Sequence, residues 1–143
     1  MNYMPLLAAG PAVHIHLAAT ILALALGGFM LIRRKGTISH RLLGWIWVAL
    51  MLTAATSSFW ITGIRGGFSP IHGLSLLVLV LVPLAVLAIR RGKVARHRMA
   101  MTGLFFGALV IPGLFTLLPG RLLGRLMNEG VALLTQSSLT LAQ

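Results

Sequence analysis

Four long stretches without a charged side chain constrain the fold of this chain more than any other feature. They cover residues 1–32, 42–64, 66–89 and 99–120. Each can supply the roughly 20 apolar residues that a helix needs to cross the hydrocarbon core of a bilayer. Only 9% of the residues are charged, against about a quarter in a typical soluble domain. We therefore expect an all-α integral membrane protein with four transmembrane helices.

The runs predict helices over residues 12–32, 42–64, 71–89 and 99–118. Because the connections between them are short, consecutive helices should be antiparallel neighbours in a four-helix bundle. The transmembrane domain then covers residues 1–120, and residues 121–143 form a short interfacial helix on the outer side or a flexible tail. Pro83 and Pro112 should kink the third and fourth helices. Gly103 and Gly107 should permit close helix approach.

A near repeat suggests that the bundle is built from two similar halves. "RRKGTISHRLLG" begins at Arg33 and "RRGKVARHRMAM" begins at Arg90, an offset of 57 residues that also separates His40 from His97. Each repeating unit contains two spans, so the two copies have the same orientation in the membrane. We expect two tandem helical hairpins related by a pseudo-twofold axis along the membrane normal.

The positive charge is concentrated in the two repeated loops. The chain has twelve Lys and Arg residues and one acidic residue, and nine of the twelve cations lie at 33–41 and 90–98. The positive-inside rule places both loops in the cytoplasm and both termini outside. Membrane topology and attraction to anionic lipid explain this charge, so we expect no nucleic-acid partner. The absence of cysteine excludes disulfides and thiolate metal sites.

The histidines fall at two depths in the predicted bundle. His16 and His72 lie near the outer ends of the first and third helices, and His40 and His97 lie at the inner ends of the second and fourth. Neighbouring helices pack about 8–10 Å apart, so these diagonal partners are separated by about 13 Å. Two imidazoles reaching inward across that gap can ligate one haem iron. The pattern predicts one or two haem b sites with these four axial ligands.

Arginines are the candidate partners of the haem propionates, since the guanidinium group binds carboxylates bidentately. Arg41 and Arg98 adjoin the inner histidines, and Arg65 follows the second span on the outer side. His14 competes with His16 as the outer ligand. We favour His16 because Thr20, Ala23 and Gly27 continue its stripe with small side chains suited to a bundle interior.

A purely interfacial role for the histidines is the competing interpretation. Polar and aromatic side chains commonly mark the ends of transmembrane helices. Trp45, Trp47 and Trp60 are expected to do so here, and single histidines can do the same. No pair of carboxylates is available for acid–base catalysis, and the hydroxyls of residues 56–58 should bond backbone or neighbouring helices.

Three stretches resemble an uncharacterised family of small bacterial four-helix membrane proteins, a domain of unknown function. They are "HLAATILALALGGFMLIRRKGTISHRLLGWIWVALMLTAATSSFWI" (16–61), "GFSPIHGLSLL" (67–77) and "ARHRMAMTGLFFGALVIPGLFTLLPGR" (95–121). The resemblance covers about residues 14–121 and includes His16, His40, His72 and His97, whereas His14 falls outside it. It supports a bacterial inner-membrane location and implies no activity.

The arrangement also resembles the diheme transmembrane cytochromes b of the ascorbate-reducible, b-561 type. In that family a four-helix core carries four histidines, and alternate helices share a haem near each membrane face. The resemblance implies that His16 and His72 hold an outer haem and that His40 and His97 hold an inner one. This chain departs from the family because it has four helices rather than six and carries its histidines nearer the helix ends.

The leading hypothesis is an inner-membrane b-type cytochrome, diheme by that resemblance, which passes electrons between a quinol or small donor and a protein partner. The alternative is a cofactor-free accessory subunit packed against a larger respiratory or photosynthetic complex, or a homo-oligomer. Under either hypothesis the chain is an electron-transfer protein or a complex subunit rather than a stand-alone enzyme. Transport of metal or haem is a third possibility, which the lack of intramembrane acids disfavours.

Overall fold

The computed structural model describes residues 10–61 and 70–117 and is helical through most of both ranges. The first four α-helices are α1 (Pro11–Ile32), α2 (Ile38–Ser57), α3 (Pro70–Arg90) and α4 (Val94–Leu104). A 3₁₀ turn, Ser58–Trp60, extends α2. A π-helix, Phe105–Val110, follows α4 and leads to α5 (Ile111–Thr116).

Four helical stretches in the described residues are long and apolar enough to cross a membrane, as the sequence predicts. They are Pro11–Ile32, Ile38–Trp60, His72–Arg90 and Val94–Thr116. The predicted tail, residues 121–143, lies outside the described residues, as does the predicted end of the second helix at residue 64.

The second and fourth helices begin earlier than predicted, at Ile38 and Val94 rather than at residues 42 and 99. Charged side chains at a helix end can remain in water, so the basic residues do not stop the helix. Each connection instead contains a left-handed glycine, Gly36 (φ 83°) or Gly92 (φ 71°), a conformation that glycine adopts without steric cost. His40 and His97 therefore lie inside the first turns of helices rather than in loops.

Residues 10–110 form a compact unit in which each helix contacts the next. Helix α1 packs against α2, α2 against α3, and α3 against α4, and the π-helix closes the ring by contacting α1. This order gives a four-helix bundle of two consecutive hairpins, α1–α2 and α3–α4. It fits the predicted pseudo-twofold arrangement, in which α1 and α3 are diagonal.

The core of this unit lies between the middle parts of the helices. Its buried side chains include the fully buried Met51 and Val82, and the rest of the cluster is Ala23, Trp47, Val48, Ala55, Val78, Leu104, Phe105 and Leu109. Helix α1 contributes only small buried residues, Ala19, Ala23 and Gly27, spaced one turn apart. Small side chains allow helix backbones to approach closely in a membrane.

Trp47 is not interfacial, contrary to expectation. Its side chain is 4% exposed, and its Nε1 donates a hydrogen bond to the carbonyl oxygen of Ala23 at 2.9 Å. Trp45 and Trp60 are 53% and 73% exposed, as expected of side chains facing lipid or its interface. The indole of Trp47 instead fills the space that Gly27 leaves on α1.

The expected close approach at Gly103 and Gly107 is also absent from the described residues. A Cβ built on either glycine meets no heavy atom within 4 Å.

The π-helix lies just before Pro112, which has no N–H for the α-helical hydrogen-bond ladder. Helix α5 belongs to the chain's second unit and contains no buried residue.

Candidate functional site

The inner histidine level is formed by the first turns of α2 and α4. Thr37 caps α2, and its hydroxyl accepts a hydrogen bond from the backbone N–H of His40 at 3.1 Å. This cap fixes the start of the helix and so the direction of the His40 side chain. His97 is close enough to His40 for the two imidazoles to interact electrostatically. The structure thus places both members of the predicted inner pair at the same end of the bundle.

The ring of His97 is oriented by the neighbouring helix. Its Nδ1 lies 2.9 Å from the carbonyl oxygen of Ala85 on α3. A carbonyl oxygen can only accept, so Nδ1 carries the hydrogen. In the neutral ring the lone pair is then on Nε2, the nitrogen that can bind a metal.

His40 contributes a polar atom that lacks a hydrogen-bond partner. Its Nδ1 is buried, and among the residues that the structure describes it is the one buried side-chain nitrogen or oxygen without such a partner. Unpaired buried polar atoms are costly and uncommon in native structures. This nitrogen is therefore a polar atom whose bonding the described residues do not account for.

At the outer level, His16 contacts the end of α2. Its Nδ1 lies 2.8 Å from the carbonyl oxygen of Ala54 and 3.4 Å from the hydroxyl oxygen of Ser57. The bond to the carbonyl again requires Nδ1–H and leaves the lone pair on Nε2. His14 is exposed, whereas Thr20 is half-buried and Ala23 and Gly27 are buried. The stripe that continues His16 faces the bundle, as predicted.

His72, the predicted partner of His16, is buried near the start of α3. Its ring centroid lies 5.9 Å from that of Phe59, which belongs to the 3₁₀ turn after α2. His16 and His72 thus both contact the segment that ends α2. Beside them, the hydroxyls of Ser58 and Ser75 share a buried hydrogen bond of 2.6 Å that joins this segment to α3.

The arginines predicted to bind the haem propionates are exposed or lie outside the described residues. Arg41 and Arg98 are exposed, and Arg98 lines an open groove on the surface of α4. Arg65 lies outside the described residues. The propionate role of all three stays a prediction.

Two features of these sites could not be found from the pattern of histidines. The carbonyl groups of Ala54 and Ala85 orient His16 and His97, but every residue has a carbonyl, so no sequence signal marks them. Ser57 carries a weak signal, because a hydroxyl near the end of an apolar span commonly bonds within the bundle.

The described residues do not assemble a metal site of the ordinary kind. No group of three or more His, Cys, Asp or Glu side chains among them could hold a metal ion. What they offer is pairs of imidazoles at the two ends of an apolar core. This donor set suits a metal cofactor in which most of the metal's ligands belong to the cofactor, so that the protein supplies only the axial nitrogens.

Comparison with known proteins identifies the family. The model of the family described as "Predicted membrane protein (DUF2306)" matches residues 13–134. No curated protein matches the chain. No solved structure matches it either. The comparisons therefore do not support the resemblance to diheme cytochromes b, whereas the four apolar spans and the family match agree with the expected uncharacterised family. The chain is a multi-pass membrane protein and belongs to the DUF2306 family.

Proposed function

We propose that this protein is a membrane electron carrier that binds haem b through its paired histidines. The observation that carries the proposal is the inner pair. His40 has a buried Nδ1 without a hydrogen-bond partner among the described residues, and His97 lies close to it with its Nδ1 already bonded to Ala85. Two neighbouring imidazoles are a donor set that would hold a haem iron.

The bonds made by His16 and His97 support the same assignment. Metal-binding histidines generally donate their other ring N–H to a carbonyl or carboxylate, which fixes the tautomer and the orientation of the ring. Ala54 accepts from His16 at 2.8 Å, and Ala85 accepts from His97 at 2.9 Å. Each site thus includes one imidazole that is prepared for coordination through Nε2. In the proposal, His72 completes the outer pair and His40 the inner pair.

When bound, haem supplies a centre that takes up and releases one electron at a time. The chain's own part is to hold and insulate it. The histidines fix the position of the group, and the apolar spans exclude water from its surroundings. The core between the two levels carries no charged side chain, so the bundle would surround such a group with a region of low dielectric. Arg41 is the candidate partner for an inner propionate.

The remaining parts of the proposal concern place and partners. Nine cations in and beside the two short connections, at residues 33–41 and 90–98, favour a bacterial inner-membrane protein with these connections in the cytoplasm and both termini in the periplasm. A quinol in the bilayer or a small soluble donor would supply electrons, and a protein partner would receive them. The lipid bilayer is the environment of the four spans.

One observation favours the second candidate, a cofactor-free subunit of a larger membrane complex or homo-oligomer. The ring-to-carbonyl bonds of His16 and His97 each join neighbouring helices, α1 to α2 and α4 to α3. Interhelical hydrogen bonds of this kind stabilise bundles in membranes without any ligand. In this interpretation the histidines are structural.

The visible spectrum of the purified protein separates the two candidates. Haem binding predicts a Soret band and a reduced-minus-oxidised difference spectrum of b type, with about two haems per chain by pyridine haemochrome if both pairs bind. His97→Ala should remove only the inner haem and His72→Ala only the outer one. His14→Ala is the matched control, since His14 is exposed and lies two residues from His16.

A preparation made with added haem precursor that still shows no Soret band contradicts haem binding and leaves the structural role. A single haem lost with His97→Ala or His40→Ala, but retained in His72→Ala, restricts the proposal to the inner level. Loss of haem in His14→Ala would contradict the assignment of His16.

A further inference from the structure

The inner end of the bundle is electrically unbalanced. Nine Lys and Arg residues lie there, and the chain's one acidic residue, Glu129, lies outside the described residues. No acidic side chain within residues 10–61 or 70–117 can therefore pair with any of the nine. An anion that comes from outside this part of the chain is needed to balance them.

Three of these cations already have a partner in the bundle. The guanidinium of Arg33 lies 5.3 Å from the ring centroid of Phe29, and that of Arg90 lies 5.7 Å from the ring of Trp45. The ammonium of Lys35 donates to the carbonyl oxygen of Leu31 at the end of α1. The first two contacts hold guanidinium groups over aromatic rings, and all three lie at the level where the spans meet the loops.

Arg98 differs because it lines a groove. The groove runs along α4 into the π-helix and is lined by Arg98, Met99, Thr102, Gly103 and Phe106, with Val94 and Ala95. It is open, since Met99 and Phe106 are 74% and 47% exposed. Gly103 has no side chain to fill the groove, and a Cβ built there would lie in space that is now empty. Arg98 is the one charged side chain that lines this groove, and most of the remaining lining is apolar.

We propose that this groove binds an anionic phospholipid, with the phosphate at Arg98 and one acyl chain along Thr102, Gly103 and Phe106. The guanidinium group binds phosphate bidentately, and a membrane-exposed groove on a span is naturally in contact with acyl chains. A second copy of the chain fits less well, because a parallel neighbour would bring like charges together without an acid between them. The site does not depend on haem.

Native mass spectrometry of the purified full chain in detergent tests the proposal. The chain is titrated with phosphatidylglycerol or with phosphatidylcholine carrying the same acyl chains. Both lipids carry a phosphate, and they differ in net charge because the choline cation neutralises the phosphatidylcholine headgroup. Phosphatidylglycerol should therefore bind beside Arg98 about tenfold more tightly, which corresponds to about 1.4 kcal/mol. Arg98→Gln should abolish this preference. Arg34→Gln, which removes the same charge from an exposed position outside the groove, should preserve it.

A second pair of variants tests the apolar part. Gly103→Leu fills the groove and should weaken binding of both lipids, whereas Gly73→Leu, also facing open space on α3, should not. Equal loss of preference in Arg98→Gln and Arg34→Gln would overturn the site in favour of diffuse charge. Displacement of the lipid by millimolar inorganic phosphate would show that the ion alone is the ligand. If Gly103→Leu does not insert into the membrane, the comparison of Arg98→Gln with Arg34→Gln still tests the proposed lipid site.

Discussion

The indole Nε1 of Trp47 on α2 donates a hydrogen bond to the carbonyl oxygen of Ala23 on α1, at 2.9 Å, inside the bundle. Ala23 is fully buried, and Gly27, one turn further along α1, lies directly under the same indole. The contact therefore combines a polar bond with close packing between two helices. It joins α1 to the remainder of the core at a depth where no water competes for the N–H.

Removing this bond should cost a modest amount of stability. Trp47→Phe keeps an aromatic ring in the core but has no N–H, so we expect a loss of about 0.5–1 kcal/mol in the free energy of unfolding, typical of hydrogen bonds within membrane bundles. Steric trapping in bicelles measures this quantity. Trp60→Phe is the control because Trp60 is 73% exposed, and its effect should be near zero. Equal effects would contradict a role for the bond.

Gly27 should not tolerate a side chain, although its neighbour Gly28 should. A Cβ at Gly27 would lie 2.6 Å from Cδ2 of Phe105 and 2.7 Å from Nε1 of Trp47, whereas at Gly28 the nearest atom is 3.9 Å away. We expect Gly27→Ala to destabilise the bundle by about 1–3 kcal/mol through overpacking. Gly28→Ala should be neutral or slightly stabilising, since alanine favours helices. A stable Gly27→Ala would show that Phe105 and Trp47 can move aside.

The Ser58–Ser75 bond should couple the 3₁₀ turn to α3. The two hydroxyls are 2.6 Å apart, and both residues are buried. A double-mutant cycle of Ser58→Ala and Ser75→Ala should give a coupling energy of about 0.6 kcal/mol in the free energy of unfolding. The parallel cycle of Thr56→Ala with Ser75→Ala should be additive, because Thr56 is exposed and bonds its own helix at Leu52. Coupling in both cycles would mean that the backbone, not the bond, transmits the effect.

The charge distribution predicts where the ends of the chain reside. A phosphatase reporter fused after Gln143 should be active. Alkaline phosphatase folds only outside the cytoplasm, and the positive-inside rule places the end at Gln143 outside the cytoplasm. A green fluorescent protein fused at the same place should be dark after Sec-dependent export. A fusion at Lys35, in the first basic loop, should give the reverse pattern. Activity of the phosphatase at Lys35 would contradict the proposed topology.

The spans could be predicted because length and hydropathy alone decide whether a segment can cross a bilayer. The order of the helices around the bundle followed from the short connections. The starts of α2 and α4 could not be predicted as reliably, because lysine and arginine are compatible with both a loop and a helix end. The sequence shows Gly36 and Gly92, but it does not show which of the flanking residues first adopts helical dihedral angles.

The histidine pairs were predicted partly by position along the spans. Matched depths placed His40 and His97 at the same end of the bundle, and the stripe of His16 faces the bundle whereas His14 is exposed. The ligand roles of the histidines stay predictions. Hydropathy could not place Trp47, because an indole suits both an interface and a core. Its burial depends on Gly27 of another helix. The two residues meet only when both helices are rotated about their axes so that these residues face each other.

The position of the charges also determines how the protein responds to voltage. In the described residues, every charged side chain lies at or beside the two basic loops, and none lies in the middle of a span. A membrane potential acts only on charges inside its field, at about 2.3 kcal/mol per elementary charge for each 100 mV. The middle parts of the described spans thus contain no gating charge, so a change in membrane potential exerts little force on the bundle itself.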